Sequence, residues 1–267
     1  MYQSKEEIYQ AIEAVGIEKF TERTDIIIKH TKECLGFAIA DPQPDEIPIG
    51  ASHIGGDPDL PEDFNWPTTS DGQPLTFLFQ IDTTPLEPGM IAVFAGREIT
   101  MVDIPHHVEF IAPNTPLVRT PQPDNLNKPH FYEDDSELGR SFFEIPLLLE
   151  SYKRLNIPED CSNAFREVIG EDEEWYEEYE ALAINEPQDS DFIIQFRGNH
   201  VSYTLDDAAE DACEYYEFPK SEATNWINLV TLFSYRGYCI CDAGVFQIVQ
   251  YQGKEKTGLT HAAVQSS

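Results

Sequence analysis

The sequence predicts an α+β fold in which two similar halves are built on antiparallel strands and flanked by amphipathic helices. The first observation is a recurring strand–turn–strand unit. Leu78-Phe-Gln-Ile-Asp82 with Gly89 to Phe94 corresponds to Val230-Thr-Leu-Phe233 with Gly244 to Val249. A spacing of about 150 residues is too long for a solenoid and fits two pseudo-symmetric halves. The second is helical periodicity outside these units, with apolar residues recurring every three or four positions. The third is composition: 41% hydrophobic and 12% aromatic residues in 267 suffice for a large buried core.

Taken in order, Ser4-Lys-Glu-Glu7 is a capping box, and Ile8, Ala11, Ile12 and Val15 follow at helical spacing until Gly16. This predicts an N-terminal helix over 4–15 that packs its apolar stripe on the domain. Asp25 to Lys29 contains three consecutive isoleucines and reads as a strand. Ala40 to Pro48 is an acidic, proline-bearing loop. It leads into Gly50-Ala-Ser-His-Ile-Gly-Gly56-Asp-Pro-Asp-Leu-Pro61, whose glycines and prolines are turn chemistry.

Beyond that turn, alternation places Leu75, Phe77, Phe79 and Ile81 on one strand face and Thr76, Leu78 and Gln80 on the other. Gly89 opens a second strand, and Ile99 to Val108 reads as further strands. Residues 113–129 hold five prolines, which exclude a helix and mark an irregular connection between a first half at about 25–112 and a second at about 130–267. Phe142 to Leu149 is strand-like or helical, and Asn163 to Ile169 begins a helical region. Trp226 to Phe233 and Val245 to Tyr251 read as strands.

The ordered motif from Gly50 to Phe94, with Phe64-Asn-Trp-Pro67 and Pro74-Leu-Thr-Phe-Leu-Phe-Gln-Ile-Asp82 inside it, resembles the bacterial YwqG-like family, a domain of unknown function. The likeness runs from about Asp25 to Ser267. It implies a single compact domain spanning residues 1–267. Some proteins resembling this one are immunity proteins that block secreted nuclease toxins, and the family has no agreed catalytic residues. The second copy departs from the family pattern, with Phe233 where Asp is usual and Thr231 where Gln is usual. The usual Gly-x-Pro stretch after a His is missing at His200. A shared ligand site at those positions is therefore not implied, and the segment reads as specialised.

Charge narrows function further. The chain carries 49 acidic and 17 basic residues, a formal net charge of −32. Nucleic-acid binding needs basic surface, so general nucleic-acid affinity is excluded, and an anionic membrane surface is disfavoured. From Glu171 to Glu217 sixteen residues are acidic and one, Arg197, is basic. Two helices account for most of this. In Glu171 to Ile184, Trp175, Tyr179 and Leu182 share one face. In the second, Thr204 is the N-cap, Asp206 and Asp207 fill the first turn, and Ala208, Ala209, Ala212, Cys213 and Tyr216 form the stripe. The charged faces read either as solvated surface or as a binding face. The binding reading takes Glu173, Glu174, Glu177 and Glu178 with Asp206, Asp207, Glu210 and Asp211.

No catalytic constellation emerges. Cys239-x-Cys241 lacks a second cysteine pair at zinc spacing. His106 and His107, as strand neighbours, face opposite ways, and nothing in the sequence joins His130 to either. Ser52-His53 is not a nucleophile elbow, and Gly55-Gly56 lacks the Lys-Ser/Thr of a phosphate loop. Neither a metal nor a cofactor is expected. The opening residues lack the pattern of a signal peptide, and five cysteines at irregular spacing fit a reducing cytoplasm. The expectation is a cytoplasmic, non-enzymatic acidic protein that binds a basic partner, a secreted nuclease toxin. The alternative is an enzyme or small-ligand binder using the cleft between the halves.

Overall fold

The computed structural model describes residues 2–16, 18–96, 104–124, 126, 145–158, 165, 167–168, 179, 182, 192–200, 208–234, 244–254 and 258–265. Three N-terminal helices, α1 (Lys5–Val15), α2 (Glu18–Glu22) and α3 (Thr24–His30), lead into β1 (Lys32–Ile39). The strands that follow are β2 (His53–Ile54), β3 (Asp59–Leu60), β4 (Thr76–Asp82), β5 (Met90–Ala95), β6 (His106–Ile111), β7 (Val118–Arg119), β8 (Leu147–Asn156) and β9 (Phe192–Arg197). Helix α4 (Ala208–Tyr215) and a 3₁₀ turn at Lys220–Asn225 precede β10 (Trp226–Phe233), β11 (Val245–Tyr251) and β12 (Thr260–Gln265).

Ten strands form one antiparallel sheet in the order β12-β11-β10-β9-β1-β8-β2-β4-β5-β6, while β3 and β7 pair separately. The sheet curls until its edge strands touch: His106 Nε2 of β6 lies 2.9 Å from Thr260 Oγ1 of β12. The result is a nearly closed barrel with few helices. Closure lets the concave face become the core, where Leu35, Phe37, Phe79, Val93, Phe196 and Phe246 pack together.

Three further clusters lie outside that core. One, under α1 and α3, holds Ile8, Ile12 and Ile27 with Phe165, Tyr179 and Leu182. Another packs α4 on β10, β11 and β12 through Ala208, Ala212, Trp226 and Tyr251. The last covers the outer side of β4 and β5 with Leu60, Leu75, Phe77 and Phe94. Strands such as β5, buried at all six positions, therefore carry apolar residues on both faces.

Helix α1 ends as its sequence predicts. Ser4 Oγ accepts the Glu7 amide at 3.3 Å and Gly16 takes a left-handed φ of 70°. The Glu7 carboxylate, however, accepts from the Gln3 amide rather than that of Ser4. The three isoleucines do not form a strand. They lie in α3, where Ile27 is fully buried against the N-terminal cluster and Asp25 and Lys29-His30 suit the two ends of the helix dipole. Packing overrides β-propensity here.

The predicted single face of β4 is also corrected. A β-bulge between Phe77 and Phe79 shifts the register against β5. Leu75 and Phe77 consequently point to the outer cluster, while Phe79 and Ile81 point into the barrel. A second bulge, between Asn228 and Val230, interrupts β10 against β11.

Candidate functional site

One mouth of the barrel is lined by the starts of β1 and β10, the ends of β9 and β11, and the turn joining β4 to β5. It holds a solvent-open cavity of about 330 Å³. Leu86, in the β4–β5 turn, packs against the barrel core, and the next residue, Glu87, reaches across to Arg197 at the end of β9. Arg197 Nε and Nη2 donate to the two Glu87 carboxylate oxygens at 2.6 and 2.8 Å, a bidentate fork, and Nη1 donates to Gln250 Oε1 at 3.2 Å. The guanidinium sits 5.1 Å from the Phe196 ring centroid.

The backbone beneath this arginine is unusual. Arg197 has φ 62° and Gly198 φ 82°, so two consecutive residues are left-handed. A side chain at such a φ costs about 1–3 kcal/mol of strain and persists only where its surroundings hold it. They do so through buried amides. Gln195 Nε2 and Asn228 Nδ2 both donate to the Arg197 carbonyl, at 3.0 and 2.8 Å. Asn199 N donates to Asn156 Oδ1 at 3.0 Å, and its Nδ2 donates to the carbonyls of His30 and Asn156. Gly198 is required: a Cβ there would lie 2.7 Å from Asn156 Oδ1 and 2.8 Å from Gln195 Nε2. The mouth therefore presents one rigidly seated guanidinium to an open cavity. The sequence did carry a signal for it, since Arg197 is the lone cation in the acidic stretch.

A second polar centre is built on a fully buried carboxylate. Asp59 is buried, and its carboxylate accepts from Arg119 Nε at 2.5 Å, Gly50 N at 2.8 Å and Gln80 Nε2 at 3.0 Å. Gln80 Oε1 in turn accepts the Asp59 amide at 2.7 Å. This clamp ties the glycine-rich stretch, β4 and the proline-rich connection into one unit. His53 lies beside it, paired in register with Gln80. Burial lowers its pKa to about 4, outweighing the opposing pull of Asp59 and of the Gly55 carbonyl, so it is neutral at pH 7. Ser52 Oγ accepts the Asp82 amide and His53 Nδ1 bonds the Gly55 carbonyl, so the two side chains have separate structural partners. Gly55 and Gly56 make a left-handed turn, with φ 73° and 65°.

Of the acidic face, Glu173, Glu174, Glu177, Glu178, Asp206 and Asp207 lie outside the described residues. Glu210 and Asp211 lie on α4, whose buried face is Ala208, Ala209, Ala212 and Cys213. Both are half-buried, whereas Glu214 and Glu217 are exposed. Lys220 Nζ sits 3.2 Å from Glu210 Oε2. The apolar anchors of the preceding acidic segment are visible at Tyr179 and Leu182, both fully buried. Tyr179 O–H donates to the Pro158 carbonyl at 2.8 Å, and Tyr2 O–H donates to the Leu182 carbonyl at 2.5 Å.

His106 and His107 take different partners, the Ile104 carbonyl with Thr260 for one and Glu109 for the other. Cys239, Cys241 and His130 lie outside the described residues. Among the described residues no group of three or more His, Cys, Asp or Glu side chains could hold a metal ion. No helix among them is long and apolar enough to cross a membrane.

Strands β4 and β10, the Gly55-Gly56 turn and the acidic stretch from Glu171 to Glu217 all fall within residues 52–249, which match a family described as Domain of unknown function (DUF1963). The chain belongs to that family. The match leaves α1, α2, α3, β1 and β12 outside it, a shorter span than the resemblance from about Asp25 onward implies. No curated protein matches the chain. Both the Asp59 clamp and the Arg197 mouth lie largely inside the DUF1963 span. Arg119, Glu87 and Asn228 belong to it, whereas Lys32 and Gln252 on the mouth's rim do not.

Proposed function

We propose that this DUF1963 chain is a YwqG-like protein of two pseudo-symmetric halves, acting in the cytoplasm as a non-enzymatic acidic binding protein. Its partner is a basic protein, a secreted nuclease toxin that it neutralises as an immunity protein. The halves reading is supported by three coincidences in the sheet. The orders β2-β4-β5-β6 and β9-β10-β11-β12 run outward from the central pair β1 and β8. Bulges interrupt β4 and β10 at matching places. Paired left-handed residues lie at the ends of β2 and β9: Gly55-Gly56 directly after β2, and Arg197-Gly198 across the last residue of β9.

The observation that carries the binding reading is the charge of −32 together with the anchoring of α4. A helix fixed through its apolar face holds its carboxylates in place, which lowers the ordering cost of binding. A nuclease must carry positive charge to hold phosphate, and an acidic face can occupy that surface. Opposite fields raise the association rate toward about 10⁸ M⁻¹s⁻¹ at low salt. Reversing Glu173, Glu177, Asp207 and Glu210 to Lys is expected to leave the fold intact and to abolish binding and cellular protection. Association rates against ionic strength, for wild type and variant, check this. Equal rates without salt dependence would reduce the acidic face to a solubility surface.

A second reading, small-ligand binding between the halves, is favoured by one specific observation. The barrel-mouth cavity draws Glu87 from one half and Arg197, Asn228 and Gln252 from the other.

A further inference from the structure

We infer that the barrel mouth is a binding site for a small zwitterion, a free amino acid or short peptide whose carboxylate pairs with Arg197 and whose ammonium pairs with Glu87. This inference rests on the second reading above. At about 330 Å³ the cavity lies at the lower end of the range for small-molecule sites, about 300–1,000 Å³.

The charges on its rim balance in sign: Lys32 and Arg197 against Glu33 and Glu87, with the amides of Asn228 and Gln252 among them. Glu33 also lies 3.2 Å from Lys153 Nζ. Asn228 is fully buried and helps fix the Arg197 backbone, so the floor of the site is rigid. Its roof is not built the same way. The Glu87 side chain is 46% exposed, whereas that of Arg197 is 13% exposed. Glu87 also sits on a turn rather than on a strand. The bidentate Glu87 carboxylate thus occupies the guanidinium fork as a ligand carboxylate would.

Net charge decides between ligand classes. An anion entering against the field of a chain with net charge −32 is repelled, and its capture would leave Glu87 without a partner beside it. A cation could pair with Glu87 only by stranding the better-buried Arg197. A zwitterion exchanges one ion pair for two and leaves no charge unmatched. Binding therefore opens the Glu87–Arg197 contact and closes each half of it on the ligand.

The test uses the full chain. The twenty common amino acids and diglycine are screened by thermal shift and titration calorimetry at fixed ionic strength, beside acetate and ethylamine. At least one zwitterion is expected to raise the melting temperature and give saturable heat, while acetate and ethylamine do neither. Two variants follow. Arg197→Gly suits the left-handed backbone, so it removes the guanidinium without unfolding the site. Glu87→Gln keeps the turn's shape. Each is expected to weaken binding at least about tenfold. Stabilisation by acetate or ethylamine alone would keep the cavity as a ligand site and overturn the zwitterion. Stabilisation by no probe would overturn both, as would zwitterion binding that neither variant weakens.

Discussion

The outer faces of the two ends of the sheet solve one problem with different chemistry. On each, polar side chains sit at corresponding positions of a bulged strand and its neighbour, fully buried: His53 and Gln80 on β2 and β4, Gln195 and Thr231 on β9 and β10. On the first face Gln80 is satisfied by one half of an ion pair, Asp59 with Arg119, while His53 bonds the Gly55 carbonyl. On the second they are satisfied by neutral groups. Gln247 Nε2 donates to Asn228 Oδ1 and Thr231 Oγ1 at 3.2 and 3.1 Å, and Thr231 Oγ1 donates to Asn228 Oδ1. The difference concerns failure more than strength. Losing one partner of a buried ion pair strands a charge, whereas losing one amide from a network leaves neutral groups with other partners.

The largest expected effect follows directly. Asp59→Ala removes the acceptor for Arg119, Gln80 and Gly50 at once and is expected to destabilise by about 3–5 kcal/mol. Arg119 is 30% exposed, which draws the value toward the lower end. Gln247→Leu on the other face keeps the Thr231–Asn228 bond and is expected to cause a loss of about 1–3 kcal/mol. Urea unfolding of both variants measures the gap. Equal losses would mean that ionic and amide solutions are energetically equivalent here.

Much of this contrast was out of reach of the sequence. The hairpin strands from Thr76 to Ala95 and from Trp226 to Tyr251 were readable because each is a long apolar run closed by turn residues. Strands β1, β9 and β12 were not: β9 is five buried residues within the most acidic part of the chain, and buried strands lack alternation. The bulge in β4 could not be foreseen, because a one-residue register shift leaves no mark in an apolar run. Asp59 and Arg119 meet only through the pairing of β3 with β7, which the proline-rich connection concealed. The Arg197 mouth was half legible. Its lone cation stood out, but Glu87 looked like any other carboxylate among 49 acidic residues.

Each outer face also encloses a histidine, which offers an intermediate test. Burial lowers His53 and His261 to about 4 from 6.5, with His106 adding to the effect at His261. The unfolded chain therefore binds protons that the folded chain refuses. Stability is full above about pH 6.5 and falls as pH drops toward 4, by up to about 3 kcal/mol per histidine. Chemical unfolding between pH 7 and 4.5 should show this slope. His53→Gln and His261→Gln should each remove part of it. A slope unchanged in the double variant would place the pH dependence elsewhere. Glu167 and Glu222, both held low by hydrogen bonds, act only further into acid.

The smallest expected effect concerns the paired turns that end β2 and β9. Both contain two consecutive left-handed residues, but the first uses Gly55 where the second uses Arg197. Arg197→Gly relieves backbone strain of about 1–3 kcal/mol. It also loses the bidentate contact with Glu87, a pair open to solvent on the Glu87 side and contributing about 0–1 kcal/mol. Added freedom of glycine in the unfolded chain subtracts about 0.5–1 kcal/mol. These contributions nearly cancel, so the melting temperature is expected to stay within a few degrees of wild type. Gly55→Arg, made in parallel, introduces the strain without an opposite carboxylate and is expected to destabilise. Were Arg197→Gly to cost several kcal/mol, the arginine would be a structural strut joining the two ends of the sheet. Near-neutrality would mean that the strain at Arg197 is kept for what the guanidinium meets in the cavity.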